Sequence, residues 1–353
     1  MKVDSIKRPS GSIICIILVL GLVFSVLASI TFGNADISVE EVYKVIGYEI
    51  FKIDSMKSYS EGAVHDVVWL IRFPRVIVAL SVGMGLAVCG AVMQAVVDNP
   101  LADPYILGVS SGGYLGAALS IILGIGSAFG ANATGIMAFI GAMVASFSVL
   151  YISRIGGKSN SIKLILSGVA INAVCSAFAN FLIYIAQDKG AAAEISYWSM
   201  GSFASADWEK AFIILPVIII VTIIIWTQYR SLNMMLMGDD TAITLGTELS
   251  KKRAIYMIIA SFAVGFSVYA AGMIGFVGLV IPHAVRLVCG TNYRNLIPVS
   301  ALSGAISLIW ADVLCRIILE NSEIPIGIII SLVGAPCFIY LMVKKSYATG
   351  GAR

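Results

Sequence analysis

VDNPLADPYILGVSSG, residues 97–112, lies between two long apolar stretches of a very hydrophobic chain. It holds two prolines, two aspartates, an asparagine and a closing glycine–serine cluster. Asn99-Pro100 and Asp103-Pro104 are expected to stop one helix and start another, because proline lacks an N–H and disfavours helix in the residue before it. Asp98 and Asp103, near the new N-terminus, favour the helix dipole. A turn that stiff fixes the position of the small-residue helix that follows.

The surrounding composition says what kind of helices these are. Of 353 residues, 59% are hydrophobic and 12% charged, with a mean hydropathy of +0.96. A soluble domain has roughly a quarter of its residues charged. The chain reads as an all-α polytopic membrane protein with a single transmembrane domain, 1–353. Matching apolar runs to the roughly 20 residues that cross a bilayer predicts about ten spans. They fall near 12–32, 74–97, 105–129, 132–153, 163–186, 211–229, 254–271, 273–290, 296–318 and 324–343. The first run is longer than the roughly 7–15 residues of a signal-peptide core, so a span is expected there.

Lysine and arginine set the orientation. An even number of spans with Lys2, Lys7 and Arg8 in the cytoplasm brings Lys344, Lys345 and Arg353 to the same side. It also collects there Arg154, Lys158, Lys163, Arg230, Lys251, Lys252, Arg253, Arg286 and Arg294, making 15 of the 23 basic residues. Both termini are therefore expected in the cytoplasm of a multi-pass protein of the cell membrane. Residues 33–71 form an extracytoplasmic segment, in which NADISVEEVYKVI reads as a capped amphipathic helix with Val42, Val45 and Ile46 on its apolar face. Residues 230–253 form the largest cytoplasmic loop, readable as two short helices.

Catalytic chemistry is missing. The six cysteines are scattered without a CxxC, and the two histidines, His65 and His283, form no ligand cluster, so no metal site is expected. IGGKSN at 155–160 imitates a phosphate loop, but GxxxxGK[ST] needs glycine at 152 and the chain has Ile152. No cofactor is expected in this chain, and neither is a nucleic-acid partner. Asp312 and Arg316, spaced to pair on one helix face, are the chief charges inside a span. An ion-coupled secondary carrier would favour more carboxylates at mid-membrane.

After Pro104, Gly108, Gly112 and Gly116 repeat every four residues, a doubled GxxxG that lets helix backbones approach closely. Ser110 and Ser111 lie among them. Two readings stay open at this point: the stripe packs helices, or its hydroxyls line a pathway.

RFPRVIVALSVGMGLAVCGAVMQAVVDNPLADPYILGVSSG, residues 72–112, resembles the signature of FecCD-type permeases. These are membrane subunits of ABC importers for iron–siderophore complexes, haem and cobalamin. YWSMGSF at 197–203, GDDTAITLG at 238–246, GMIGFVGLVIPHAVRL at 272–287, ADVLCR at 311–316 and IPIGIIISLVGAPCFIYLM at 324–342 resemble further blocks of that family, in its order. The resemblance implies a ten-helix permease that dimerises with a second copy or a paralogue. It implies two cytoplasmic ATPase subunits, which carry the ATP and Mg, and an external solute-binding protein. An iron(III)-siderophore or related chelate is the implied cargo; an ion-coupled carrier without an ATPase is the alternative.

Roles follow by position. The resemblance makes Gly238, Asp239, Thr241, Ala242, Leu245 and Gly246 the coupling element that meets the ATPase. Arg72, Arg75 and Arg316, outer arginines that break the charge bias, are implied to dock the binding protein, with an Asp312 pair as the plain reading of Arg316. Met93 and Gln94 join Ser110 and Ser111 as pathway-lining candidates.

Overall fold

The computed structural model describes residues 11–349 apart from 34, 156, 158–159, 238–248 and 321. The described residues form helices joined by turns and loops. Seven helices are long and apolar enough to cross a membrane, and three shorter apolar ones accompany them. In chain order the principal elements are α1 Gly11–Thr31, α2 Val39–Phe51, α3 Phe73–Val96, α4 Val109–Leu123, α5 Ala133–Arg154 and α6 Ser161–Ala186. They continue as α7 Lys189–Ser199, α8 Trp208–Thr227, α9 Tyr229–Met235, α10 Leu249–Ala271, α11 Val277–Cys289, α12 Tyr293–Ile317 and α13 Ile326–Thr349. A π-helical stretch, Asp66–Arg72, runs directly into α3.

Helix α3 is the central post. Twenty of its residues, from Pro74 to Val96, are buried, and α8, α10, α11 and α12 all pack on it. Lipid tails are as apolar as leucine, so close backbone contact rather than the hydrophobic effect joins membrane helices. Glycine supplies that contact. A Cβ at Gly83 would strike the Gly304 carbonyl of α12, and one at Gly304 would strike the Gly83 carbonyl. Gly90 meets Gly278 of α11 in the same way. Gly112 and Gly141 make the reciprocal crossing of α4 and α5, and Gly116 faces the Met137 carbonyl. The exposed side chains are mostly apolar: Ile16, Ile17, Leu20 and Phe24 on α1 are 62–66% exposed.

Both ends are tied by polar caps. At one end Tyr293 donates to the Ala91 carbonyl (2.8 Å), Arg286 donates to the Tyr293 hydroxyl (2.8 Å), and Arg253 Nε donates to the Val96 carbonyl (2.9 Å). At the other, Trp69, Phe73, Trp208 and Phe212 stack, with Trp208 Nε1 donating to the Trp69 carbonyl at 2.8 Å. Tryptophans gather in this way at a membrane–water boundary.

Beyond the tryptophan end, α2 has the predicted capping box. Ser38 Oγ accepts from Glu41 N, and the Glu41 carboxylate accepts from Ser38 N at 3.0 Å. The Ser38 hydroxyl, followed by the Ser38 backbone, holds the Glu41 carboxyl below its usual range. Val42, Val45 and Ile46 are buried as expected.

The 97–112 turn differs from its sequence expectation in one respect. Asn99 Oδ1 accepts from Leu101 N (2.9 Å), and Asp103 Oδ1 accepts from Tyr105 N (2.8 Å). Asp103 thus caps a single 3-10 turn, Pro104–Leu107, and not the helix itself. Gly108, left-handed at φ 76°, redirects the chain, so α4 begins only at Val109. It ends at Leu123, where Gly124 is again left-handed. Helix α7 was not legible as an element; Asp188 caps it through Gly190 N and Ala191 N. Of the 230–253 loop, α9 and the start of α10 are described, and 238–248 lies outside the described residues.

Replacing Gly116 by valine is expected to push α4 off α5 and to reduce the protein in the membrane fraction. Overpacking costs about 1–3 kcal/mol and more where backbone is struck. Gly124→Asn, with nothing within 4 Å of an added Cβ and a residue that tolerates the left-handed region, should accumulate normally in the same immunoblot.

Candidate functional site: a polar cleft at a break in the helices

Two helices are too short to span. At 1.5 Å per residue, α11 is about 20 Å long and α4 about 22 Å, against a hydrocarbon core of about 30 Å. The irregular segments that precede them, 97–108 with its single 3-10 turn and 272–276, meet near the middle of α3. Gly278 lies against Pro104 and the Leu86 carbonyl, and the Tyr105 hydroxyl accepts from Ile274 N at 3.0 Å. Irregular backbone at membrane depth is tolerated where protein buries it or where it borders a water-filled cavity.

Such a cavity lies beside it. A cleft of about 700 Å³ is lined by Asp103 and Tyr105 from the first break, Met273, Gly275 and Phe276 from the second, and residues of α4 and α6. A further 540 Å³ extends it along Gly327 and Ser331 of α13, sharing Tyr105, Ser110 and Met273 with the first.

The α4–α6 wall is polar. Ser110 Oγ contacts Met273 Sδ at 2.9 Å, Ser111 Oγ donates to Asn172 Oδ1 at 2.5 Å, and the Tyr114 hydroxyl donates to Asn180 Oδ1 at 3.4 Å. Asn172, Ser176 and Asn180 stand four residues apart on α6 and form one stripe in the apolar run that follows Gly168. They carry more of the cleft's polarity than the two serines singled out from sequence. The i, i+4, i+8 spacing of polar residues in an apolar run was the signal for them.

The pathway-lining candidates separate. Ser110 and Ser111 line the cleft. Met93 and Gln94 do not: they are 0% and 1% exposed inside the core, and Gln94 Nε2 donates to the Leu279 carbonyl. Their place on the central post, where Gln94 meets α11, accounts for this burial. Among the glycines, Gly112 and Gly116 face α5, whereas Gly108 serves as the left-handed pivot. Gly238, Asp239, Thr241, Ala242, Leu245 and Gly246 lie outside the described residues.

Arg72, Arg75 and Arg316 come together near the tryptophan end, each 4–5% exposed and each bonded within the chain. Arg75 clamps Asp312 (2.8 Å) and Glu323 (2.8 Å). Arg316 pairs with the same Asp312 carboxylate (3.1 Å), as its spacing predicted, and also donates to the carbonyls of Phe32 and Ser29. Arg72 donates to the carbonyls of Ile30, Thr31 and Ala35. Two guanidiniums therefore cap the C-terminal carbonyls of α1, where the helix dipole is negative. This accounts for basic residues on the sparsely basic side: they close a helix end and share one buried carboxylate. Glu323 was not singled out from sequence.

A bundle of membrane-length helices interrupted by irregular backbone beside a polar cleft is the kind of architecture that membrane transport proteins use. The family comparisons agree and refine this. The model of the FecCD transport family matches residues 21–344. The chain is 37% identical over 326 residues to the uncharacterized ABC transporter permease protein YvrB of Bacillus subtilis (strain 168), covering 92% of this chain and 91% of that one. It is 41% identical over 282 residues to the vitamin B12 import system permease protein BtuC of Salmonella typhi, covering 79% and 84%. Among solved structures, an inward-facing ABC transporter assigned to the metal-chelate type is 29% identical, covers 95% of this chain and 100% of that one, and has a TM-score of 0.78. PsaBC from Streptococcus pneumoniae in complex with Fab, 18% identical, covering 85% and 94% with a TM-score of 0.54, shares the fold. The chain is a permease subunit of an ABC importer, a multi-pass membrane protein. It belongs to the FecCD transport family.

Asp312→Asn removes the charge that two buried guanidiniums share. Breaking a buried ion pair costs about 3–5 kcal/mol, so the thermal midpoint of the purified protein in detergent should fall sharply. Glu323→Gln, at a side chain 33% exposed, should lower it far less, since exposed pairs contribute about 0–1 kcal/mol.

Proposed function

We propose that this permease forms, with a second copy or a paralogue, the pathway for a large metal chelate. Ten spans cross the cytoplasmic membrane with both termini inside. The tryptophan and arginine end faces out, and the Tyr293 end, which bears Arg253 and Arg286, faces in. The single observation that carries the reading is the polar cleft: a stripe of serine, asparagine and tyrosine open along one side of an otherwise apolar bundle. A second permease facing that side would turn a cleft into a closed path.

The motor is external. Two ATPase subunits bind ATP and Mg on the cytoplasmic side and engage the 238–246 segment, with Gly238, Asp239, Thr241, Ala242, Leu245 and Gly246 as the coupling contact. A solute-binding protein docks at the outer end. There Arg72, Arg75 and Arg316 act first by holding the docking face in shape; a direct ion pair to the partner would require a guanidinium to exchange one of its internal bonds. Of the chelates that the resemblance implies, ferric siderophore, haem and cobalamin, we place cobalamin first. The permeases of stated cargo at 40–41% identity import vitamin B12.

The test is uptake in cells that lack the gene, offered radiolabelled cobalamin, ferric siderophore and haem separately. Loss of cobalamin uptake alone, restored by the intact gene and stopped by vanadate, is expected. Loss of siderophore or haem uptake instead would reassign the cargo. Uptake that survives vanadate but stops with an uncoupler would replace the ATP-driven reading with an ion-coupled one.

A further inference from the structure

Phe276 stands between a cleft and a groove. Phe276 lines the polar cleft, and it also lines a separate apolar groove of about 390 Å³ between α11, α12 and α13, whose rim residues Leu314 and Val333 are 41% and 64% exposed. Val280, Ala284, Trp310 and Val333 are among the residues that line the groove. Among the described residues no other lines both. An apolar groove at the back of a polar pathway has no solute to hold, but it is the right environment for a phenyl ring.

The backbone at this point is strained. Phe276 lies in the left-handed region, at φ 64° and ψ −27°, which bulky L residues avoid. The Gly275 carbonyl accepts from Val277 N across it at 2.8 Å, closing a tight γ-like turn. Glycine would take this conformation freely. A ring placed there is doing something a hydrogen atom cannot, and strain of this kind gathers at switch positions.

The neighbours are arranged for movement. A Cβ added at Gly275 would meet nothing within 4 Å, so that glycine is not required by packing. On the far side, Gly334 of α13 leaves room for Phe276, whose Cβ would stand 3.1 Å from a side chain there. Helix α13 is pinned at its start by Ile326 N and Gly327 N, which donate to the carbonyls of Gly201 and Met200. Beyond that anchor the apolar groove opens between it, α11 and α12, and it meets α11 again where Phe338 packs edge-on against His283.

We propose that Phe276 is a gate of the transport pathway: its ring closes the cleft in one state and withdraws into the apolar groove behind α11 in the other. The proposal rests on the reading of the polar cleft as the pathway. Gly275 is its hinge, and α13 yields to admit the ring.

Two variants test it in the full-length permease. A gate whose open state is a minor population of roughly 0.1–10% leaks little, so Phe276→Ala should raise passive efflux of carboxyfluorescein from proteoliposomes at least about tenfold. Ala284→Phe, which fills the groove, should leave the vesicles as tight as wild type. In cells it should cut uptake of radiolabelled cobalamin or ferric siderophore, whichever the deletion strain fails to take up, by at least about tenfold. Each variant must elute as a single species with a wild-type thermal midpoint; if Phe276→Ala does not, Phe276→Leu is read in its place. Tight Phe276→Ala vesicles, or wild-type uptake by Ala284→Phe, overturn the gate. Ser176→Trp separates this failure from that of the underlying reading. It obstructs the cleft away from Phe276, so wild-type uptake by that variant removes the pathway itself. Lost uptake there, with tight Phe276→Ala vesicles, removes only the gate.

Discussion

Helix α3 can be buried along its length because glycines let the backbones of α11 and α12 rest where side chains would stand. Gly83 against Gly304 and Gly90 against Gly278 are contacts of backbone on backbone, with no room for a methyl group on either side. In a membrane this closeness replaces the hydrophobic effect as the source of helix association. The two segments of irregular backbone that border the cleft are placed against that post. The two backbone breaks at 97–108 and 272–276 are brought together where Gly278 lies against both Pro104 and the Leu86 carbonyl of the post.

The breaks create a problem that the cleft and the caps resolve between them. Backbone groups that leave a helix at membrane depth lose their partners, and each unsatisfied one is costly. Here Asn99, Asp103 and Tyr105 satisfy part of the irregular backbone with side chains, and the cleft leaves the rest beside a polar cavity. The same logic governs the arginine cluster. The last carbonyls of α1 have no intrahelical donors, and Arg72 and Arg316 supply them. Asp312 then offsets two of the buried charges and Glu323 meets Arg75 from the rim. A group of residues that seemed designed to receive a partner is first of all an internal closure.

Much of the fold was legible. Apolar run lengths located the long helices to within a few residues, since the bilayer imposes length and apolarity on any segment that crosses it. Ser38 and Glu41 announced the capped helix α2 because capping is a local interaction. The start of α4 was misplaced because Gly108 bends the chain where propensity allows helix to continue. Helix α7 was missed because it is short and neither strongly apolar nor strongly periodic.

The site divides along the same line. The sequence by itself determined the class of protein: the length and apolarity of the spans, the glycine spacing and the motif blocks each survive without coordinates. Only the tertiary structure decided which side chains face the cleft. Met93 and Gln94 adjoin the signature turn in sequence yet face the core, while Asn172 and Ser176, far along the chain, face Ser111 and its neighbours. It also decided that Arg75 and Arg316 share one carboxylate, and that Phe276 stands between a polar cleft and an apolar groove. The physical reason is that burial and pairing depend on what packs against a face, and in this bundle the packing partners come from helices up to 287 residues apart.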